Sequence, residues 1–156
     1  MTKTEIMLIG SRQRLCTLTV SPRPSINGAP IEQVTTAKSL GVLIDNNLTW
    51  RSHIDKLTKK IASGIGAIER LRHLVPYGTL HSIYQALVQP HFNYCNIVWG
   101  NCRVTLQDKL QKLQKRAARC LTYSNYDADV NNLFELGLGW KGKLKEQQWY
   151  LSPYGD

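Results

Sequence analysis

The sequence has no run of about eighteen apolar residues, the length that crosses a bilayer. Its opening, Met-Thr-Lys-Thr-Glu, also lacks the charged-then-apolar layout of a signal peptide. The expectation is a soluble protein of the cell interior, in nucleus or cytoplasm, with no membrane partner. Cysteine is scarce: Cys16, Cys95, Cys102 and Cys120 are too thinly spread over 156 residues for a disulfide scaffold. No Cys-x-x-Cys pair occurs, so His91, Cys95 and Cys102 make a poor zinc set. A Cys–His nucleophile pair has no support in spacing either, and neither catalytic nor metal-binding residues are expected.

What is present describes a folded chain. An apolar fraction of 42% with 20% charged residues is ordinary for a globular protein, and a domain of this size buries roughly 68–70% of its extended surface. The formal charge of +9 is unevenly placed. Between Arg51 and Arg119 there are twelve Lys or Arg against three acids, Asp55, Glu69 and Asp108, while the remainder holds eight of each sign. The whole excess therefore lies in one stretch, which points toward a polyanion.

Along the chain the hydrophobic period changes once. Residues 5–9 and 15–20 alternate like strands around a turn at Gly10-Ser11. Pro22 and Pro24 break the second run, Asn27-Gly28 suits a tight hairpin, and residues 39–44 read as another strand. From Thr49 the spacing is helical, with Ile54, Leu57, Ile61, Ile65, Ile68, Leu71 and Val75 on one face until Pro76 and Gly78. Lys56, Lys59, Lys60 and Arg70 fall opposite that stripe, and Arg72 falls beside it.

A second helix from Thr79 carries Leu80, Ile83, Tyr84, Leu87 and Val88 inward and ends at Pro90. A third opens at Thr105-Leu-Gln-Asp108, which resembles a capping box. Its stripe is Leu106, Leu110, Leu113, Ala117 and Leu121, with Lys112, Lys115 and Arg119 on the reverse side, flanked by Arg116 and Lys109. A short helix near residues 130–136, capped by Asp129, and a loose tail over 137–156 complete the reading. Trp50 and Trp99 are expected as core anchors rather than stacking platforms, and Asp45 as a turn or helix-start contact rather than a metal ligand. The fold class is α+β: a small antiparallel β segment over about residues 4–45, then a mostly helical region over about 49–136.

Four pieces of this sequence occur in an order that resembles the reverse transcriptases of non-LTR, jockey-like retrotransposons. They are Lys3-Thr4; residues 40–45 with Leu48-Thr49-Trp50 and His53-Ile54; Tyr94-Cys95-Asn96-Ile97-Val98-Trp99-Gly100; and residues 110–119, of the form Leu-x-x-x-Gln-x-Arg-Ala-x-Arg. The resemblance covers residues 3–123. It implies that residues 1–46 are a remnant of the palm sheet, that 47–136 form a helical thumb-like region, and that the palm and fingers of the parent polymerase lie elsewhere.

The implied partner is an RNA/DNA primer–template duplex. It would be held through its phosphates, without sequence reading, by Lys56, Lys59, Lys60, Arg70, Lys112, Lys115, Arg116 and Arg119. Polymerases of this family hold two divalent ions, with magnesium expected, on palm aspartates that include an Asp-Asp pair. No Asp-Asp dipeptide occurs in the 156 residues. The expectation is a fragment that carries no cofactor and does not polymerise by itself. An inactive remnant of a decayed element, or a stand-alone nucleic-acid-binding or interaction module, are the alternatives.

Overall fold

A computed structural model describes residues 4–17, 24–26 and 28–124. They fall into two compact units, divided between His53 and Ile54. The first contains short strands and one short helix: β1 (Glu5–Ile6), α1 (Arg12–Cys16), β2 (Ser25–Ile26), β3 (Ala29–Pro30), β4 (Glu32–Gln33), β5 (Thr36–Ser39) and β6 (Val42–Asp45). The second is helical: α2 begins in the first unit and runs Arg51–Leu71, followed by α3 (Tyr77–Leu87), α4 (Gln89–Asn93), α5 (Asn96–Trp99) and α6 (Val104–Thr122). The α+β class expected from the sequence is the class observed.

The strands form three separate two-stranded ladders. Two are antiparallel, as expected, but β1 pairs β4 in parallel, Glu5 with Glu32 and Ile6 with Gln33. A parallel pair needs a long return connection, and the chain between these strands provides one. Residues 12–16 correct a second expectation: they are helical, not extended. Ser11 caps the helix with a side-chain oxygen that accepts from the Arg14 N–H at 3.3 Å, and this local bond overrides a short alternating pattern. Residues 18–20 of the expected strand lie outside the described residues.

The hairpin expected at this point is present in its described residues: Ile26 pairs with Ala29 and Gly28 sits at φ +78°, while Asn27 lies outside the described residues. The run 39–44, read as one strand, is instead a turn and its second arm: Ser39 pairs with Val42, and Leu40 and Gly41 occupy φ +46° and +86° between them. Two successive positive φ values are the mark of the hairpin turn whose twist matches its strands. Leu40 has the wrong chemistry for that position and is 87% exposed.

In the helical unit α2 buries Ile54, Leu57, Ile61, Ile65 and Ile68 of the stripe read from the sequence; Leu71 is half-buried at its end, and Val75, also half-buried, lies beyond it. Gly64 lies where a Cβ would stand 2.8 Å from Val88 Cγ2, so α2 and the end of α3 approach closer than any other residue allows. Leu80, Tyr84 and Val88 face inward from α3, whereas Leu87, expected inside, is 49% exposed. Pro90 does not only end α3: it sits in the first turn of α4, where its missing N–H has no acceptor to lose.

The aromatic segment after it folds as α4 and α5. Trp99 is fully buried, as expected, and its indole N–H donates to the Tyr94 carbonyl at 2.9 Å. Helix α6 starts at Val104 with Arg103 as its cap and no side-chain cap bond, so the capping box expected at Thr105–Asp108 does not form. Its buried side is displaced from the expected stripe: it adds Gln114, Ala118 and Cys120, while Leu113, expected inside, is only half-buried. The helix expected over 130–136 and the tail lie outside the described residues.

Replacing Leu40 with Asn should stabilise the β5–β6 hairpin by about 0.5–1 kcal/mol, because Asn tolerates positive φ and Leu does not. Amide exchange of residues 36–45 would slow accordingly. Unchanged or faster exchange would show that the turn is not under this constraint.

Candidate nucleic-acid interface

On a helix each residue turns by about 100°. Measured from Asp55 on α2, Glu69 lies about 40° to one side, while Lys59, Arg70, Lys56 and Lys60 lie about 40°, 60°, 100° and 140° to the other. The isoleucine stripe, centred about 110° from Asp55 on the Glu69 side, faces away from Lys59, Arg70 and Lys56 and lies beside Glu69. On α6, measured from Lys109, Arg116 lies about 20° away, and Lys112, Arg119 and Lys115 follow at about 60°, 80° and 120° in the same direction.

Two ion pairs bring these faces into one frame. Lys109 Nζ meets Asp55 Oδ1 at 2.9 Å. Arg116 holds Glu69 with two bonds, Nε to Oε1 at 2.8 Å and a terminal nitrogen to Oε2 at 2.7 Å. The pairs occur in the same order along both helices, so α2 and α6 run in the same sense. The lysine-rich side of α2 and that of α6 then fall on the same side of the seam, with the apolar stripes on the other.

The seam divides the expected contact residues into groups. Lys56, Lys59, Lys60, Arg70 and Lys112 are exposed, and Lys115 is half-buried. Arg116 is exposed but committed to Glu69, whose carboxyl it holds below the usual range against a smaller opposing effect of burial. Arg119 is half-buried, with its Nε atom out of solvent. Lys60 stands at the edge of the group, near His91. Burial, and after it the Lys60 charge, lowers the His91 pKa. Asp108 is the one acid on the outward side of α6 among the described residues.

Sequence reasoning missed the pairing roles of Asp55, Glu69 and Lys109. The partners are 54 and 47 positions apart, and no local period reports such distances. Arg72, placed beside the core from the sequence, is there. Its guanidinium carbon lies 5.1 Å from the centre of the Tyr123 ring, and its carbonyl accepts from the Tyr123 hydroxyl. These contacts join the C-terminal ends of α2 and α6.

Asp45 is the turn contact expected. One carboxylate oxygen accepts from Thr49 N–H and O–H, both at 2.9 Å, and the other from Trp50 N–H at 2.8 Å. Burial alone would raise its pKa, but these bonds together outweigh burial and hold it below the usual carboxylate range. Trp50 is half-buried rather than a full core anchor. Among the described residues no three His, Cys, Asp or Glu side chains lie together as a metal-binding group, and no helix is long and apolar enough to cross a membrane.

No protein-family profile and no solved structure matches the chain. Curated proteins do. The probable RNA-directed DNA polymerase from transposon X-element of Drosophila melanogaster is 26% identical over 104 residues, 65% of this chain and 12% of that protein. The corresponding protein of transposon BS, from the same species, is 27% identical over the same shares. The RNA-directed DNA polymerase from mobile element jockey of Drosophila funebris is 30% identical over 101 residues, 63% of this chain and 11% of that protein. The chain thus spans about an eighth of the length of the relatives it matches, and over that span it is similar to the RNA-directed DNA polymerases of non-LTR retrotransposons such as jockey.

Proposed function

We propose that this chain is the palm-end and thumb part of a retrotransposon reverse transcriptase, and that the α2–α6 face holds the primer–template duplex by its phosphates. The observation that carries the reading is the shared orientation of Lys56, Lys59, Arg70 and Lys112 on one side of the ion-pair seam, with the apolar stripes of both helices on the other. Lysine ammonium groups on flexible stems meet phosphate oxygens as point charges. They release counterions without recognising bases, which suits an enzyme that copies any template. An A-form hybrid offers a wide, shallow minor groove and its backbone, so shape and charge are the available handles.

In the same reading the chemistry belongs to the parent polymerase. Two divalent ions on palm aspartates would activate the primer hydroxyl and neutralise the departing pyrophosphate. The carboxylates described here do not fit that task. Asp55 and Glu69 are committed to cations across the seam, and the Asp45 oxygens are filled by Thr49 and Trp50. No step of nucleotide transfer is assigned to this chain.

Purified full-length chain is expected to bind an RNA–DNA hybrid weakly and without sequence preference. With about four phosphate contacts, log K should fall against log salt with a slope near −3.6, about −0.9 per contact. Replacing Lys56, Lys59, Lys60 and Lys112 with Glu should abolish binding while circular dichroism still reports both helices, since none lies on an apolar stripe. Equal binding by this variant would reduce the charge to a solvated face.

Glu69→Gln should act in the opposite direction. It frees Arg116 at a stability cost of only about 0–1 kcal/mol, the usual worth of an exposed pair, and steepens the salt slope by up to about 0.9. A shallower slope would mean that Arg116 faces away from the duplex.

No primer extension is expected from the chain with any template, nucleotide or divalent metal. Metal-dependent, template-directed product above a heat-killed control would overturn the assignment of chemistry to the parent alone.

A further inference from the structure

The sequence reads as helix from Thr49, yet α2 begins at Arg51. The difference is local and costly. Leu48 and Trp50 both occupy left-handed backbone, at φ +51° and +63°, a region that side chains bearing a Cβ avoid. Strain of this kind persists only where neighbours impose it, and here the neighbour is the Asp45 carboxylate. It gathers the Thr49 N–H, the Thr49 hydroxyl and the Trp50 N–H within 2.9 Å. The Leu48 N–H is tied to the Asp45 carbonyl at 2.9 Å. Thr49 meanwhile has the chemistry of a helix cap, and its hydroxyl oxygen lies 3.5 Å from the Arg51 N–H.

We propose that residues 45–50 form a latch with two states, which sets where the basic helix begins. With the Asp45 carboxylate engaged, Trp50 is held left-handed and α2 starts at Arg51. With the carboxylate released, the Thr49 hydroxyl loses only the bond it donates and tightens the one it already accepts from the Arg51 N–H, Trp50 enters α2 with ordinary helical dihedrals, and Leu48 relaxes out of the left-handed region. The first-turn N–H groups of a helix have no intrahelical acceptor in either state. The carboxylate therefore competes with water for them, not with a helical hydrogen bond. The released state gains relief of two strained residues, and the engaged state gains three bonds to a charged acceptor, so the two oppose each other within one short segment.

The test is backbone NMR on the full chain. In the parent, the Trp50 carbon shifts should be non-helical, and the Thr49 and Trp50 amides should be protected from exchange. Asp45→Ala should move the Trp50 shifts to helical values and speed exchange at both amides about tenfold or more, as loss of a local opening barrier does. Leu48→Gly removes strain from the engaged state alone and leaves every latch group in place, so it should slow exchange at Thr49 and Trp50. Random-coil or unchanged Trp50 shifts in Asp45→Ala would overturn the two-state latch. If Asp45→Ala also releases the β5–β6 hairpin, Leu48→Gly decides alone: slower exchange supports the latch, and equal or faster exchange refutes it.

Discussion

Burial of the isoleucine stripe of α2 is the constraint from which the rest of the helical unit follows. Ile54, Leu57, Ile61, Ile65 and Ile68 are each removed from solvent, and each contributes about 1.5–3 kcal/mol relative to exposure. The stripe packs in one core with Leu80, Tyr84, Phe92, Trp99, Leu110 and Leu121, which are buried as fully. Once the stripe is inward, the helical period sends Lys56, Lys59 and Arg70 outward. The two ion pairs to α6 are exposed and worth about 0–1 kcal/mol each, too little to hold the helices together. Their effect is angular: they fix which side of α6 stands beside which side of α2. That angle makes a shared basic face out of two amphipathic helices.

The strand-bearing unit rests on different physics. Of the eighteen buried apolar residues among those described, Val42 alone belongs to it. Its order comes from polar contacts at short range: the Ser11 cap, the paired hairpin arms, the Leu43 N–H donated to the His53 ring nitrogen at 3.3 Å, and the carboxylate of Asp45. Such bonds are worth about 0.5–1.5 kcal/mol each, or about 1.5–3 when the acceptor is charged. Backbone strain at Leu40, Leu48 and Trp50 can survive there because the imposed bonds are local and dense.

The helical core carries one conflict of its own. Gln114 is fully buried, and among the described residues neither of its amide atoms nor the buried Tyr84 hydroxyl has a hydrogen-bond partner. An unsatisfied buried polar group costs about 1–3 kcal/mol. Burial also pushes the Tyr84 phenol well above its ordinary pKa, so it stays neutral. Gln114 belongs to the Leu-x-x-x-Gln-x-Arg-Ala pattern in the sequence, and its cost is borne by the apolar stripes on either side of it.

Periodicity and chain chemistry made α2, α3 and α6, most of their inward faces, the Ile26–Ala29 hairpin and the Asp45 contact legible, because each depends on residues within one or two turns of one another, whereas α1, α4 and α5 are too short to show a period. The family relationship was legible for a similar reason, since short ordered motifs survive low overall identity. Three things depended on distance or competition and could not be read locally. The partners of Asp55 and Glu69 lie some fifty positions away. The parallel pairing of β1 with β4 is set by how the intervening chain returns. The start of α2 is decided by a carboxylate that outbids the helical tendency of Thr49 and Trp50. The sequence by itself determined where the cations lie along each helix, because helical period follows from residue order; only the tertiary structure decided that the two sets share a face, because that requires the relative rotation of two helices that the chain order does not contain.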